Sequence, residues 1–341
     1  MDNEAMNKSQ IPIAKSQSAT SDKRASSRNG QGWFLMGAVA ALAGVGVYLR
    51  YKDTIDYNLR LLNAKRIGDK FYAEYPYVHK DLAYGPNPAQ KLDVYLPDPA
   101  LTPGPLTGYP TLIFVHGGNW NSGNKELYAP AAQRLMPYGV AVVMVGYTLH
   151  PQATYRQQTT DVAKAIAWTL DHIADYGGDP QRVIVSGHSA GAQLTALAMM
   201  DEKWLAAEGG HIVSDIAGYI GLNGLYDMAA QMAYERSKGR PGDLLKDVFE
   251  GEGNFSAASP VTYARPGLPP MLIIHGDKDE TVPVSIAESF HAALKAAGTQ
   301  SELRIYPRTT HSGLLFDALA QNPARLVEDL AAFTQNCLPV K

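Results

Sequence analysis

A serine set between two glycines, directly after a run of mostly β-branched residues, constrains this chain more than any other feature. Arg182-Val-Ile-Val-Ser-Gly187 leads into Gly187-His188-Ser189-Ala190-Gly191. Glycines on either side of a sharp turn let a strand and a helix approach closely, and the serine then stands clear of the sheet. Gly-x-Ser-x-Gly is short and built from common residues, so its surroundings decide its meaning. Upstream, Gly177-Gly178-Asp179-Pro180 is a turn that ends a preceding helix. Downstream, Ala190–Met200 consists almost entirely of strong helix formers. Strand, turn and helix follow in the order that a nucleophile elbow requires.

The elbow sits within a longer alternation of short apolar runs and helical patterns, which predicts a mostly parallel sheet covered on both faces. Lys91–Leu96 alternates like an early edge strand, and residues 97–110, with five prolines and two glycines, read as a loop. Thr111–Val115 and Val140–Val145 read as buried strands separated by a helical stretch from Lys125 to Met136. Thr159–Tyr176 carries Val162, Ile166, Leu170 and Ile173 on one helical face, as a crossover helix should. Ile216–Leu222, Met271–Ile274 and Glu302–Tyr306 supply further strands, with helices at Ser285–Ala297 and about Asn322–Thr334. Residues 228–263 interrupt the pattern with a polar, partly helical insertion, expected to form a small lid. The catalytic domain is therefore expected over 91–337, preceded by a connecting or cap segment over 50–90.

The net charge of −3 implies no basic face of the kind that binds nucleic acid. The single cysteine, Cys337, excludes an intrachain disulfide and a cysteine metal cluster. Residues 1–32 are polar and contain too few large apolar groups to bury, so they read as a disordered tail. Trp33–Leu49 then runs without a charge; at about 1.5 Å per residue a helix here spans roughly 25 Å, the lower limit for a bilayer. The run reads as an uncleaved membrane anchor. A cleaved signal segment competes, because Ala38-Val39-Ala40 and Ala41-Leu42-Ala43 have the small-x-small form of a cleavage site, and a buried soluble helix is the third reading. These alanines favour an extracytoplasmic catalytic domain.

A serine hydroxyl needs a base to take its proton, and the base needs a carboxylate to fix its tautomer. Among nine histidines, His311 falls in a loop after the last predicted strand. His172 and His291 lie in helical patterns, His211 in a glycine-rich connection, and His275 resembles a packed turn residue. For the acid, Asp277, Asp279 and Glu280 lie just beyond the strand Met271–Ile274. Asp279 is the choice, Asp277 the main rival, and Asp227 a weaker one that suits a helix cap. The chain order Ser189, Asp279, His311 is the one this elbow demands. Donors for a negative carbonyl oxygen are expected from Gly117, Gly118 and Ala190, since His116-Gly117-Gly118-Asn119-Trp120 also follows a strand.

Taken together, HGGNW, the Gly146–Pro151 turn, GGDPQRV, GHSAGAQL and HGDKDETVP resemble the α/β-hydrolase superfamily over roughly Leu92–Ala332. The nearest groups are the hormone-sensitive-lipase-like carboxylesterases, the arylformamidases and the isoprenylcysteine methylesterases. The resemblance implies a mainly parallel sheet of about eight strands with helices on both faces, no cofactor and no metal. It also matches Ser189 to the nucleophile, Asp279 to the acid, His311 to the base, and Gly117, Gly118 and Ala190 to the oxyanion hole. Two departures stand out. Asn119 occupies the place of a third glycine, which is nearer the HGGxW branch, and Thr310-His311-Ser312 replaces the usual Gly-His-Gly. The expected activity is hydrolysis of a small carboxylic ester; the alternatives are hydrolysis of N-formyl arylamines, or a hydrolase fold that only binds.

Overall fold

The alternation in the sequence closes into one sheet whose strand ends gather the chemically interesting loops. The computed structural model describes residues 59, 62, 65–320 and 325–337. Its strands are β1 (Val78–Ala83), β2 (Lys91–Tyr95), β3 (Tyr109–Val115), β4 (Ala141–Val145), β5 (Gly178–His188), β6 (Gly218–Leu222), β7 (Met271–Gly276) and β8 (Ser301–Tyr306). They lie side by side in the order β1-β2-β4-β3-β5-β6-β7-β8. β2 runs antiparallel to both β1 and β4, and every other pair is parallel. The main helices are α1 (Ala129–Leu135), α2 (Tyr155–His172), α3 (Ala190–Met200), α4 (Met228–Ser237), α5 (Asp243–Val248), α6 (Val284–Ala296), α7 (Gly313–Ala320) and α8 (Arg325–Asn336).

Side chains on successive strand residues point to opposite faces, and this divides the core in two. Ile113, Val115, Val143, Val145, Val183 and Val185 face the layer that holds α2, α3 and α6. Leu112, Phe114, Val142, Met144 and Ile184 face α1, α7 and α8. All eleven residues of α3 are buried, which suits a helix apolar on every side. Because β5 is central, α3 starts at the middle of the sheet's carboxyl edge, where open α/β sheets place their ligands.

Three sequence expectations are corrected. Lys91–Tyr95 is not the edge strand, because β1 covers its outer side. β1 comes from the 50–90 segment expected to be a connection. Its sequence, VHKDLA, lacks apolar alternation and is largely exposed, and its pairing is broken by a bulge between His79 and Leu82. Charges and a bulge are how an edge strand resists pairing with other chains. Second, the crossover helix starts at Tyr155, not Thr159, and its last turn tightens into a 3-10 helix at Ile173–Tyr176. Third, α7 directly follows His311 where no helix was expected. The tail over 1–32 and the apolar run over 33–49 lie outside the described residues; among those described, no helix is long and apolar enough to cross a membrane.

The elbow glycines have a measurable reason. A Cβ on Gly191 would come within 2.2 Å of the Val115 carbonyl oxygen, and one on Gly187 within 2.4 Å of the Gly191 carbonyl group. Both contacts are with backbone, which cannot move aside cheaply. Gly191→Ala should therefore lose about 3 kcal/mol or more of stability, at the upper end of overpacking effects. Urea unfolding followed by circular dichroism checks this; an unchanged midpoint would contradict the close approach.

Candidate active site

Ser189 turns the chain between β5 and α3 with φ 55° and ψ −123°. Such a backbone costs about 1–3 kcal/mol for a residue other than glycine, so its surroundings must hold it. They do so on both sides. The Ser189 N–H donates to the Leu222 carbonyl at 2.9 Å, and the Ser189 carbonyl accepts from the N–H groups of Ala192 and Gln193.

The Ser189 hydroxyl meets His311 Nε2 at 2.9 Å, and His311 Nδ1 lies 2.7 Å from Asp279 Oδ2. The carboxylate can only accept, so Nδ1 carries the proton and Nε2 offers its lone pair to the hydroxyl. Asp279 is buried and surrounded by donors: the N–H groups of Thr281 and Val282 reach Oδ1 at 2.9 and 2.8 Å. His275 Nε2 donates to the Val282 carbonyl at 3.0 Å and lies 3.3 Å from Asp279 Oδ2. Burial by itself would raise the pKa of Asp279. The charge of His311 and the bonds from His275 and His311 outweigh burial and hold the carboxyl well below the usual range. It remains a carboxylate at any working pH.

The rival residues fall elsewhere. Asp277 accepts from the Thr309 N–H at 3.3 Å, and Asp227 caps α4 by accepting from the Ala230 N–H at 2.9 Å. His291 pairs with Ser301, and His211 lies between Asp171 and Asp215. His275, expected to be only a packed turn residue, touches the acid itself.

The Thr310-His311-Ser312 setting also has a physical account. Thr310 Oγ1 accepts from the Gly313 N–H at 3.2 Å and its carbonyl accepts from Leu314 N–H, which caps the start of α7. Leu314, Leu315 and Phe316 are buried in the core below. His311 thus sits in the capped turn that leads into an anchored helix, and glycines directly on either side of it are not needed.

HGGNW packs directly on the elbow: a Cβ on Gly117 would come within 3.0 Å of Ser189 Cβ. Gly118, Asn119 and Trp120 take φ values of 122°, 51° and 60°, so three successive residues are left-handed. Among the described residues, no acceptor faces the N–H groups of Gly117, Gly118 or Ala190. His116 Nδ1 donates to the Gly117 carbonyl at 2.8 Å, and its ring stacks on Tyr147 at 4.4 Å. The Gly117 carbonyl is thereby engaged by His116. Trp120 is buried; its Nε1 donates to Gln193 Oε1 at 3.0 Å, and Gln193 Nε2 donates to the Ala258 carbonyl at 2.9 Å. Phe249 packs edge-on against Trp120 at 5.0 Å. On its other side the 228–263 insertion holds the acid loop, through Gln231 to the Thr281 carbonyl and Tyr234 to the Glu280 carbonyl. The expected lid is a packed wall of short helices running from Trp120 to the acid loop.

Two residues close to His311 carry no motif that would single them out. His188 Nε2 and Asn223 Nδ2 both donate to the His311 carbonyl, at 3.2 and 2.8 Å. His188 could have been suspected from its place inside the elbow; Asn223 is visible in sequence only as the residue after a strand.

The family pattern designated BD-FAE matches residues 92–294. The chain belongs to the BD-FAE family. Its sheet and relatives place this BD-FAE member in the carboxylesterase group of the α/β-hydrolases. It is 30% identical over 269 residues to isoprenylcysteine alpha-carbonyl methylesterase ICME of Arabidopsis thaliana, covering 75% of this chain and 61% of that protein. It is 33% identical over 255 residues to esterase LipQ of Mycobacterium tuberculosis, covering 73% and 60%. The chain spans about three fifths of the length of these curated relatives. Among solved structures, the propionate-bound thermophilic esterase Est2 of Thermogutta terrifontis superposes with a TM-score of 0.61 at 27% identity, covering 79% of this chain and 98% of that one. Esterase B of Lactobacillus rhamnosis shares the fold, with a TM-score of 0.65 at 19% identity over 82% of this chain and 95% of that one.

The histidines around the elbow make stability depend on pH. Burial pulls His116 from 6.5 down to about 4, and burial together with neighbouring His311 pulls His188 down to about 3. Both are neutral in the folded chain and take up protons in the unfolded chain below about 6.5. Their contribution is complete above that pH and is lost as pH falls towards 4, about 2 kcal/mol for each by pH 5. Urea midpoints measured from pH 7.5 to pH 5 should drop steadily; a flat profile would contradict the neutral burial.

Proposed function

We propose that this chain is a serine carboxylesterase in which Ser189 is the nucleophile, His311 the base and Asp279 its supporting acid. The observation that carries the reading is the unbroken hydrogen-bond line from Ser189 Oγ through His311 to Asp279, at 2.9 and 2.7 Å. His311 Nε2 takes the hydroxyl proton as Oγ attacks the ester carbon. The imidazolium that forms is stabilised by a carboxylate held ionised by its donors, and it returns the proton to the leaving alcohol. Water then repeats the sequence and frees the acid. The carbonyl oxygen becomes negative in both steps, next to the N–H groups of Gly117, Gly118 and Ala190 and the positive end of α3.

An ester substrate is favoured over a formamide because the named relatives are a methylesterase and esterases. A short acyl group is favoured because Est2 is described with propionate and with butyrate bound. On sequence alone, the apolar run over 33–49 supports attachment to a membrane or export through it, with the catalytic domain outside the cytoplasm.

Ser189→Ala should lower kcat on p-nitrophenyl butyrate by about 10⁴-fold or more, and Asp279→Asn by a similar order, with both proteins still folded. A fluorophosphonate probe should label the unaltered chain once and leave the Ser189→Ala variant unlabelled. Turnover retained by Ser189→Ala would sink the assignment, and faster turnover of an N-formyl arylamine than of the ester would overturn the substrate class.

A further inference from the structure

We propose that Asn223 is a positioning residue that locks the base to the acid, an inference that rests on the serine esterase reading above. Asn223 directly follows β6, is fully buried and takes a left-handed backbone, φ 45°. Its own N–H continues the sheet by donating to the Ile274 carbonyl at 2.9 Å. Its amide then uses both ends. Oδ1 accepts from the Gly276 N–H at 2.9 Å, and Nδ2 donates to the His311 carbonyl at 2.8 Å. Gly276 closes β7, three residues before Asp279. One planar side chain therefore connects the strand that delivers the acid to the backbone of the base.

The connection matters because His311 must satisfy two partners at once. Its ring reaches Ser189 Oγ and Asp279 Oδ2 together only if its own backbone is held to within a fraction of an ångström. Two backbone bonds join the loops on the outer side: Lys278 N–H to the Thr309 carbonyl at 3.0 Å, and Asp277 N–H to the Tyr306 carbonyl at 3.0 Å. The gap between the loops is narrow, since a Cβ on Gly276 would lie 2.2 Å from the Thr309 carbonyl oxygen. Neither of these bonds touches residue 311. On the inner side its carbonyl takes the Asn223 amide and, at the longer distance of 3.2 Å, His188 Nε2. Of the two hydrogen bonds to the His311 carbonyl among the described residues, Asn223 thus supplies the shorter, and its side chain also reaches the acid strand.

Asn223→Gly tests this, because glycine adopts φ 45° freely and the substitution removes the amide with little backbone penalty. The expected result is a fall in kcat of about 10- to 100-fold on p-nitrophenyl butyrate, with KM within about threefold, in protein that stays folded at the assay temperature although its unfolding midpoint drops, because the Gly276 N–H and the His311 carbonyl each lose a buried partner. Fluorophosphonate labelling should still go to completion, at a rate reduced in the same proportion. Asn223→Asp, which has nearly the same shape, guards against a folding defect. One of its oxygens still accepts from Gly276, while the other can donate to the His311 carbonyl only when protonated. With His188, His275, Asp279 and His311 as the titratable groups around it, its activity relative to the unaltered chain should decline as pH rises. Retention of kcat within about twofold by both variants at every pH, or loss only in proportion to the loss of folded protein, would overturn the proposal. Failure of the underlying reading shows separately, as turnover by Ser189→Ala.

Discussion

The whole arrangement depends on how closely α3 approaches the ends of β3 and β5. With no side chain at Gly187 or Gly191, the first turn of the helix settles against the Val115 carbonyl, and Ser189 is forced into its left-handed turn. The same contact draws HGGNW against the serine. HGGNW and the elbow thus meet at the carboxyl ends of two neighbouring strands, beside the start of a helix whose dipole favours negative charge. A methyl group at either glycine would push α3 away from β3 and β5, and Ser189 with it.

Charge is managed just as tightly. The site buries a single carboxylate among backbone donors and two imidazoles, which keeps it ionised despite its burial. His188 and His116 use the opposite arrangement. Each is enclosed so thoroughly that it stays neutral, and each serves as a hydrogen-bond donor to a backbone carbonyl. His311 Nε2 is the imidazole nitrogen that lies within hydrogen-bonding distance of the Ser189 hydroxyl, at 2.9 Å.

Strand, turn and helix around Ser189 were legible because the β-branched run, the glycines and the helix formers all gave the same answer at short range. His311 and Asp279 were legible from their places after strands, and the structure bonds Asp279 to His311 and His311 to Ser189. What escaped was long-range or polar. β1 has no apolar alternation because it lies at an edge, and α7 is only two turns long. Asn223 could not be found at all from pattern, since its role depends on two backbone groups that lie 53 and 88 positions away along the chain. The insertion was visible as an interruption, but its attachment through Trp120, Gln193 and Phe249 arises only from packing.

The antiparallel course of β2 has a practical consequence. β2 is followed by residues 97–108, which enter β3 at its amino end, across the sheet from Ser189. Leu101 and Leu106 are exposed on that loop. A chain coupled to a solid support through this loop would be held by the edge of the sheet opposite the one that carries Ser189, with that edge turned away from the support.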